Sequence, residues 1–200
     1  KKSGLTRIKN LNLDHILDSN DAEKITQIIK EKESKGYAYE LANSSLDLLI
    51  FRQLPNYEEK FELIDFMVIV ENKRRSSLGS GWRNDGSEHP ILSEATIKIK
   101  TKDEIFHTAA EGNGPVGALD NATRKALIGT FPEINKIRLT DYIVRVVEEG
   151  TGTGAVVRVI IESSDDKEVW TTVGASSNII EATWIALADS IEWFLIKNSK

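Results

Sequence analysis

Apolar residues in the first quarter of the chain recur at helical spacing. Ile25, Ile28 and Ile29 form one stripe with Asp21 near its start, and Leu41, Leu46, Leu48, Leu49 and Phe51 form a second. Residues from about Asn20 to Leu54 are therefore predicted as two helices, separated at Gly36 and ended by Pro55, which lacks an N–H. A domain boundary is expected near Pro55. The period then changes. Phe61 to Val70 is rich in β-branched and aromatic residues, Thr96 to Lys100 alternates, and after Lys102-Asp103 the run Ile105 to Ala110 turns back, which predicts a strand followed by a β-hairpin. Ala118, Ala122 and Ala126, with Leu119 and Leu127 beside them, give a helix whose small face can lie close on a sheet, closed by Gly129 and Pro132.

The same order then returns. Ile137 to Glu148, Ala155 to Ile161 and Glu168 to Val173 read as strands, and the polar turn Gly174-Ala175-Ser176-Ser177-Asn178 enters a helix carrying Ile180, Trp184, Leu187, Ala188, Ile191 and Leu195. The predicted class is α+β: two βββα repeats related by pseudo-two-fold symmetry over residues 58–200, preceded by a small helical linker subdomain over residues 1–57. Each repeat alone leaves one sheet face and one helix stripe uncovered, so the two are expected to pack together and bury a shared core. The polar stretch from Asn72 to Glu88 is expected to be an exposed, mobile loop, and Thr151-Gly152-Thr153-Gly154 a connection between strands.

Composition narrows the function classes. A chain of 200 residues with 40% hydrophobic content can bury a core, and a net charge of -5 without a basic block argues against a nucleic-acid footprint. Lys73-Arg74-Arg75 is too short to supply one. No apolar run reaches membrane-span length and no signal peptide is evident, so neither a membrane nor nucleic acid is expected as a partner, and the cytoplasm is the default location. The absence of cysteine excludes disulfides and thiolate metal sites. The lack of an initiating Met suggests a piece of something longer. His15, His89 and His107 are scattered without ligand spacing, no nucleophile elbow is present, and no lysine follows the glycines as a phosphate loop needs, so neither catalytic nor metal-binding residues are expected.

One segment does point to chemistry. Gly112-Asn113-Gly114-Pro115-Val116 sets a glycine-rich turn directly against a helix start: the glycines permit positive φ and close approach of a ligand, Pro115 suits the first helical position, and Asn113 or Gly114 can cap. Free N–H groups and the helix dipole there favour a carboxylate. A plain strand-to-helix connection is the competing reading. The Ser177-Asn178-Ile179 turn occupies the related position in the second repeat, and two helix starts facing each other, lined by Val116, Tyr142 and Ile179, would make a small pocket fit for a free amino acid. Asp141 is the candidate for its ammonium, with a strand-edge carboxylate in water as the alternative. Tyr142 could equally belong to the core.

His107 to Val116, Ala118-Leu119-Asp120-Asn121-Ala122, Arg138 to Tyr142, Ile161 to Asp165 and Asn178 to Ala182 together resemble the C-terminal regulatory domain of citramalate synthase and isopropylmalate synthase. Gly36-Tyr37-Ala38-Tyr39-Glu40, Ala42, Ser44 and Ser45 resemble the linker subdomain of the citramalate branch. The resemblance implies a parent acyltransferase that condenses acetyl-CoA with an α-keto acid, pyruvate in the citramalate case, in a TIM barrel holding a divalent metal. No Arg-Asp-Gly-x-Gln or His-x-His motif of that barrel occurs here, so this chain is expected to be inactive alone and to hold no cofactor. It further implies a homodimer, working with the barrel of the same parent chain, that senses isoleucine, or leucine in the isopropylmalate branch, for feedback inhibition. The effector contacts implied are Gly112, Asn113, Gly114, Pro115, Val116, Leu139 and Tyr142, supported by Asp141, Ser177, Asn178 and Ile179. The segment from Ser76 to Glu88 is longer than the family pattern suggests, and Ser176-Ser177 stands where relatives often carry an acidic residue.

Overall fold

The computed structural model describes residues 4–71, 92–147 and 155–198. The stretch from Asn72 to Glu88, with Lys73-Arg74-Arg75 and Ser76, and the segment from Thr151 to Gly154 lie outside the described residues, as does His89. Two compact units emerge: one joins residues 1–60 to residues 133–200, and the other is residues 61–132.

The helical segment contains α1 (Gly4–Asn10), α2 (Ser19–Ser34) and α3 (Asn43–Phe51). The first escapes periodicity because seven residues are too few to show it. It is fixed instead by Ile8, 1% exposed, and by Arg7, whose Nε and Nη2 donate to the two Asp47 carboxylate oxygens of α3 at 2.5 and 2.7 Å. At the start of α2, Asp18 is the N-cap and Asp21 its partner in a capping box: the Asp21 N–H donates to Asp18 and the Asp18 N–H to Asp21, at 2.9 and 3.3 Å. Leu41 lies outside α3 in a turn, 44% exposed. Gly36, at φ +100, makes the bend after α2.

Each repeat has three antiparallel strands and one helix. The first comprises β1 (Phe61–Glu71), β2 (Leu92–Thr101), β3 (Ile105–Gly112) and α4 (Pro115–Leu127); the second, β4 (Arg138–Val146), β5 (Val157–Ser164), β6 (Val169–Ser176) and α5 (Ile179–Asn198). Sheet orders are β1-β2-β3 and β4-β5-β6. The first strand of each carries a register shift near its start, between Leu63 and Asp65 and between Leu139 and Asp141. In each the last strand is tied to its helix by a threonine: Thr108 Oγ1 donates to the Ala122 carbonyl at 2.8 Å, and Thr172 Oγ1 to that of Ala186 at 2.7 Å. The intervals from Thr108 to Thr172 and from Ala122 to Ala186 are equal, so the repeat is maintained at the level of single hydrogen bonds.

The helical segment shares a core with the second repeat. Tyr37, Ala42, Leu46 and Ile50 cluster with Ile160 of β5 and Val173 of β6. β6 ends its sheet, and an edge strand needs its outward N–H groups satisfied. Ser45 does so for Val173, whose N–H donates to Ser45 Oγ at 3.0 Å, while that hydroxyl donates to Asp189 Oδ2 of α5 at 2.7 Å. Ser45→Ala strands a buried N–H and takes a donor from a buried carboxylate. It is expected to lower stability by about 1–3 kcal/mol, read as a lower urea midpoint with unchanged slope.

Candidate functional site

In the first repeat the glycine turn closes the angle between β3 and α4. Gly112 is required for packing: a Cβ there would lie 2.3 Å from the Ala118 backbone N and 2.6 Å from the Gly117 carbonyl carbon. The positive φ that Gly112 and Gly114 permit is not used, since Gly36 is the only described glycine with φ > 0 and Gly114 is extended at φ -172. Close approach alone selects the first glycine. Around Gly114 a Cβ would meet nothing within 4 Å, so its backbone borders open space.

Gly114 is the N-cap of α4 and Pro115 its first residue. The Gly114 carbonyl takes the Ala118 N–H at 2.9 Å as the first helical bond. No side chain caps the helix, which leaves the Val116 and Gly117 N–H groups without a side-chain acceptor among the described residues. Asn113, exposed, does not cap; Asn121 of α4 instead donates to the Glu111 carbonyl at 2.9 Å and Lys125 to the Ala109 carbonyl at 3.1 Å, holding the outer edge of β3 to the helix. Ser93, in register with Gly112, is fully buried, and its Oγ has no hydrogen-bond partner among the described residues.

The related turn of the second repeat is chemically different. Asn178 Oδ1 accepts from the N–H groups of Ile180 and Glu181 at 2.9 and 3.4 Å, and the Asn178 N–H donates to Ser176 Oγ at 3.0 Å. Ser176 in turn donates to Glu181 at 2.5 Å. The start of α5 is thus closed on itself, where that of α4 is open. Tyr142 of β4 reaches this helix: its hydroxyl and that of Thr183 lie 2.6 Å apart, and Thr183 Oγ1 also bonds the Ile179 carbonyl at 2.7 Å. Burial holds the Tyr142 phenol above its ordinary pKa, offset in part by the Thr183 contact. Leu139 is half-buried at the register shift. Asp141 is exposed and accepts the Tyr142 N–H through Oδ1 at 2.8 Å. Ser177 is exposed, and Ile179 is 43% exposed. The expected contacts therefore divide between the units: Gly112 to Val116 in one, and Leu139, Asp141, Tyr142 and Ser177 to Ile179 in the other.

Sequence reading missed a second polar constellation, in which Nη2 of Arg52, the residue that caps the C-terminus of α3, donates to Asp189 Oδ1 at 2.8 Å and to Glu192 Oε2 at 2.5 Å, while Glu192 also accepts from the Tyr57 hydroxyl. The two carboxylates fall among apolar residues of α5, and only the docking of α3 reveals their common cation. Among the described residues no group of three His, Cys, Asp or Glu could hold a metal ion, and no helix is long and apolar enough to cross a membrane.

The LeuA allosteric (dimerisation) domain matches residues 40–195. An (R)-citramalate synthase of Geobacter sulfurreducens is 44% identical over 186 residues, which cover 92% of this chain and 33% of that protein. One of Aquifex aeolicus is 42% identical, over 91% of this chain and 32% of the relative. A 2-isopropylmalate synthase of Shewanella woodyi is 28% identical over 80% of the chain and 25% of its own length. The chain spans about a third of the citramalate synthases it matches. Two βββα repeats, each with a threonine-tied helix, and a match across most of their length place the chain in the LeuA allosteric (dimerisation) domain family.

Proposed function

We propose that this chain is the regulatory part of a citramalate synthase, that it forms a homodimer, and that it binds isoleucine to inhibit condensation of acetyl-CoA with pyruvate in the catalytic barrel of the same parent chain. The observation that carries the reading is the uncapped start of α4, where open backbone at Gly114 and first-turn N–H groups suit a carboxylate. The greater similarity to citramalate synthases than to the isopropylmalate synthase favours isoleucine over leucine. In this reading Gly112, Asn113, Gly114, Pro115 and Val116 are the carboxylate contacts that the first repeat offers, while in the second repeat Leu139, Tyr142 and Ile179 are the apolar wall and Asp141 the candidate for an ammonium. Ser177 and Asn178 shape the second turn, supporting the wall rather than offering donors. Met67 at 56% and Ile69 at 39% exposure are apolar strand residues of the kind a second copy would cover. Such a domain acts in the cytoplasm, beside the enzyme it controls.

Feedback is then linkage. Isoleucine favours one packing of the dimer, the helical linker subdomain (residues 1–57) passes that preference to the barrel, and a coupling of about 1–3 kcal/mol suffices for useful control. Titration calorimetry with isoleucine, leucine and valine tests this. Isoleucine is expected to bind, with valine weaker by about 1–3 kcal/mol for its missing methylene. Tighter binding of leucine would assign an isopropylmalate synthase parent, and no heat from any of the three, with an intact dimer by sedimentation, would leave a dimerisation module without sensing. Unchanged affinity in Asp141→Ala would remove that residue from the ammonium role.

A further inference from the structure

A recess lies wholly inside the unit that joins the helical segment to the second repeat. It measures about 220 Å³, with Tyr37 and Tyr39 on one side, Leu49 and Ile185 as apolar wall, and Arg52 and Asp189 at its polar end. The Tyr37 and Tyr39 rings stack at 5.7 Å with 22° between planes. Lys32, an exposed residue in the last turn of α2, places Nζ 4.9 Å from the Tyr37 ring centroid. The aromatic face therefore already attracts an ammonium, held by a flexible side chain.

Charge at the polar end points the same way. Asp189 and Glu192, with side-chain exposures of 8% and 4%, share the single Nη2 of Arg52. Two buried carboxylates on one guanidinium leave a negative excess that a further cation would offset. Burial raises the pKa of Asp189, although Arg52 and Ser45 oppose the rise. We propose that this recess binds a small organic ammonium with a short hydrocarbon body, its cation between the Tyr37 face and Asp189 in place of Lys32 and its body against Leu49 and Ile185. Drug-sized ligands occupy about 300–1,000 Å³, so the occupant is smaller, a primary or methylated amine of a few carbons.

The test is a titration of isobutylammonium chloride into the 200-residue chain at constant ionic strength, following tyrosine ring protons by NMR, with isobutyrate as the anion of like shape. Saturable shifts of the Tyr37 and Tyr39 resonances are expected in the low-millimolar range for so few atoms. Lys32→Gln removes the resident cation and is expected to tighten binding about threefold or more, and Asp189→Asn to weaken it about tenfold. Should Asp189→Asn fail to fold, the exposed Lys32→Gln decides alone. Shifts that do not saturate, an equal response to isobutyrate, or weaker binding in Lys32→Gln would overturn the proposal. The probe has no carboxylate, so its outcome is independent of the glycine turn: amine binding without isoleucine heat would count against the isoleucine reading only, and the converse against this site only.

Discussion

Gly174→Ala is expected to destabilise the second repeat by about 3 kcal/mol or more, at or beyond the upper end of overpacking losses. A Cβ at this position of β6 would stand 2.0 Å from the Ala182 carbonyl oxygen and 3.0 Å from both the Ala182 carbonyl carbon and the Ala186 N. All three are backbone atoms, so no side-chain rotation relieves the overlap. Ala182 and Ala186 are fully buried, and the Thr172 bond to the Ala186 carbonyl is made in the same layer. To admit the methyl, α5 must rise from the sheet and loosen the contacts of Leu187, Ile191 and Phe194, and a close-packed interior transmits such a shift. Domain stability is commonly about 5–15 kcal/mol, so the loss should be evident in a urea titration followed by tryptophan fluorescence. Gly117→Ala is the control: nothing lies within 4 Å, it sits in α4, and the methyl should stabilise by about 0.5–1 kcal/mol. A cost below about 1 kcal/mol in Gly174→Ala would mean that α5 does not lie as close to β6 as these distances require.

That glycine also marks how far sequence reasoning reached. The alternation in β2 and the alanines of α4 were legible because one face of each is buried and the other is not: Ala95, Ile97 and Ile99 are fully buried, as are Ala118 and Ala122. The second βββα order was legible from its β-branched runs and turn residues instead, since Val159, Ile160 and Ile161 of β5 are all buried and do not alternate. Gly174, read from the chain, was only the first residue of a polar turn, since a requirement for close approach comes from a helix several residues later and leaves no local period. α1 was illegible because its seven residues are held by Arg7 and Ile8 through distant partners. At the glycine turn the residue types were legible and the reason for Gly112 was not, because positive φ and close approach select the same amino acid. The contrast between an open α4 start and a self-capped α5 start depends on where the Asn178 and Ser176 side chains point, which residue identity alone leaves open.

Arg52→Met is expected to cost about 3–5 kcal/mol, because it leaves two buried carboxylates without their common cation. Met retains much of the aliphatic stem, so the loss reports charge more than packing. Its pH dependence follows from Asp189. Burial already raises the pKa of that carboxyl, and Arg52 is the largest of the influences opposing the rise, so removing Arg52 raises it further. A carboxyl with a raised folded-state pKa binds its proton more readily in the native protein than in the unfolded chain. Stability is then full at low pH, falls as pH rises from the unfolded value through the folded one, and stays low above it. The loss in Arg52→Met, measured against the parent chain at each pH by urea unfolding, should therefore be largest near about pH 7.5 and smaller near about pH 5. Equal losses at both would show that Asp189 does not change protonation in the variant. Arg52→Met/Asp189→Leu/Glu192→Leu discriminates further: with no charge left in this cluster, most of the stability should return, because filling such a site with apolar groups of like volume is often neutral or favourable. A triple variant as unstable as Arg52→Met would place the loss in the packing of α3 against α5, and the hydrogen bonds from Ser45 and Tyr57 would then be the contacts that matter.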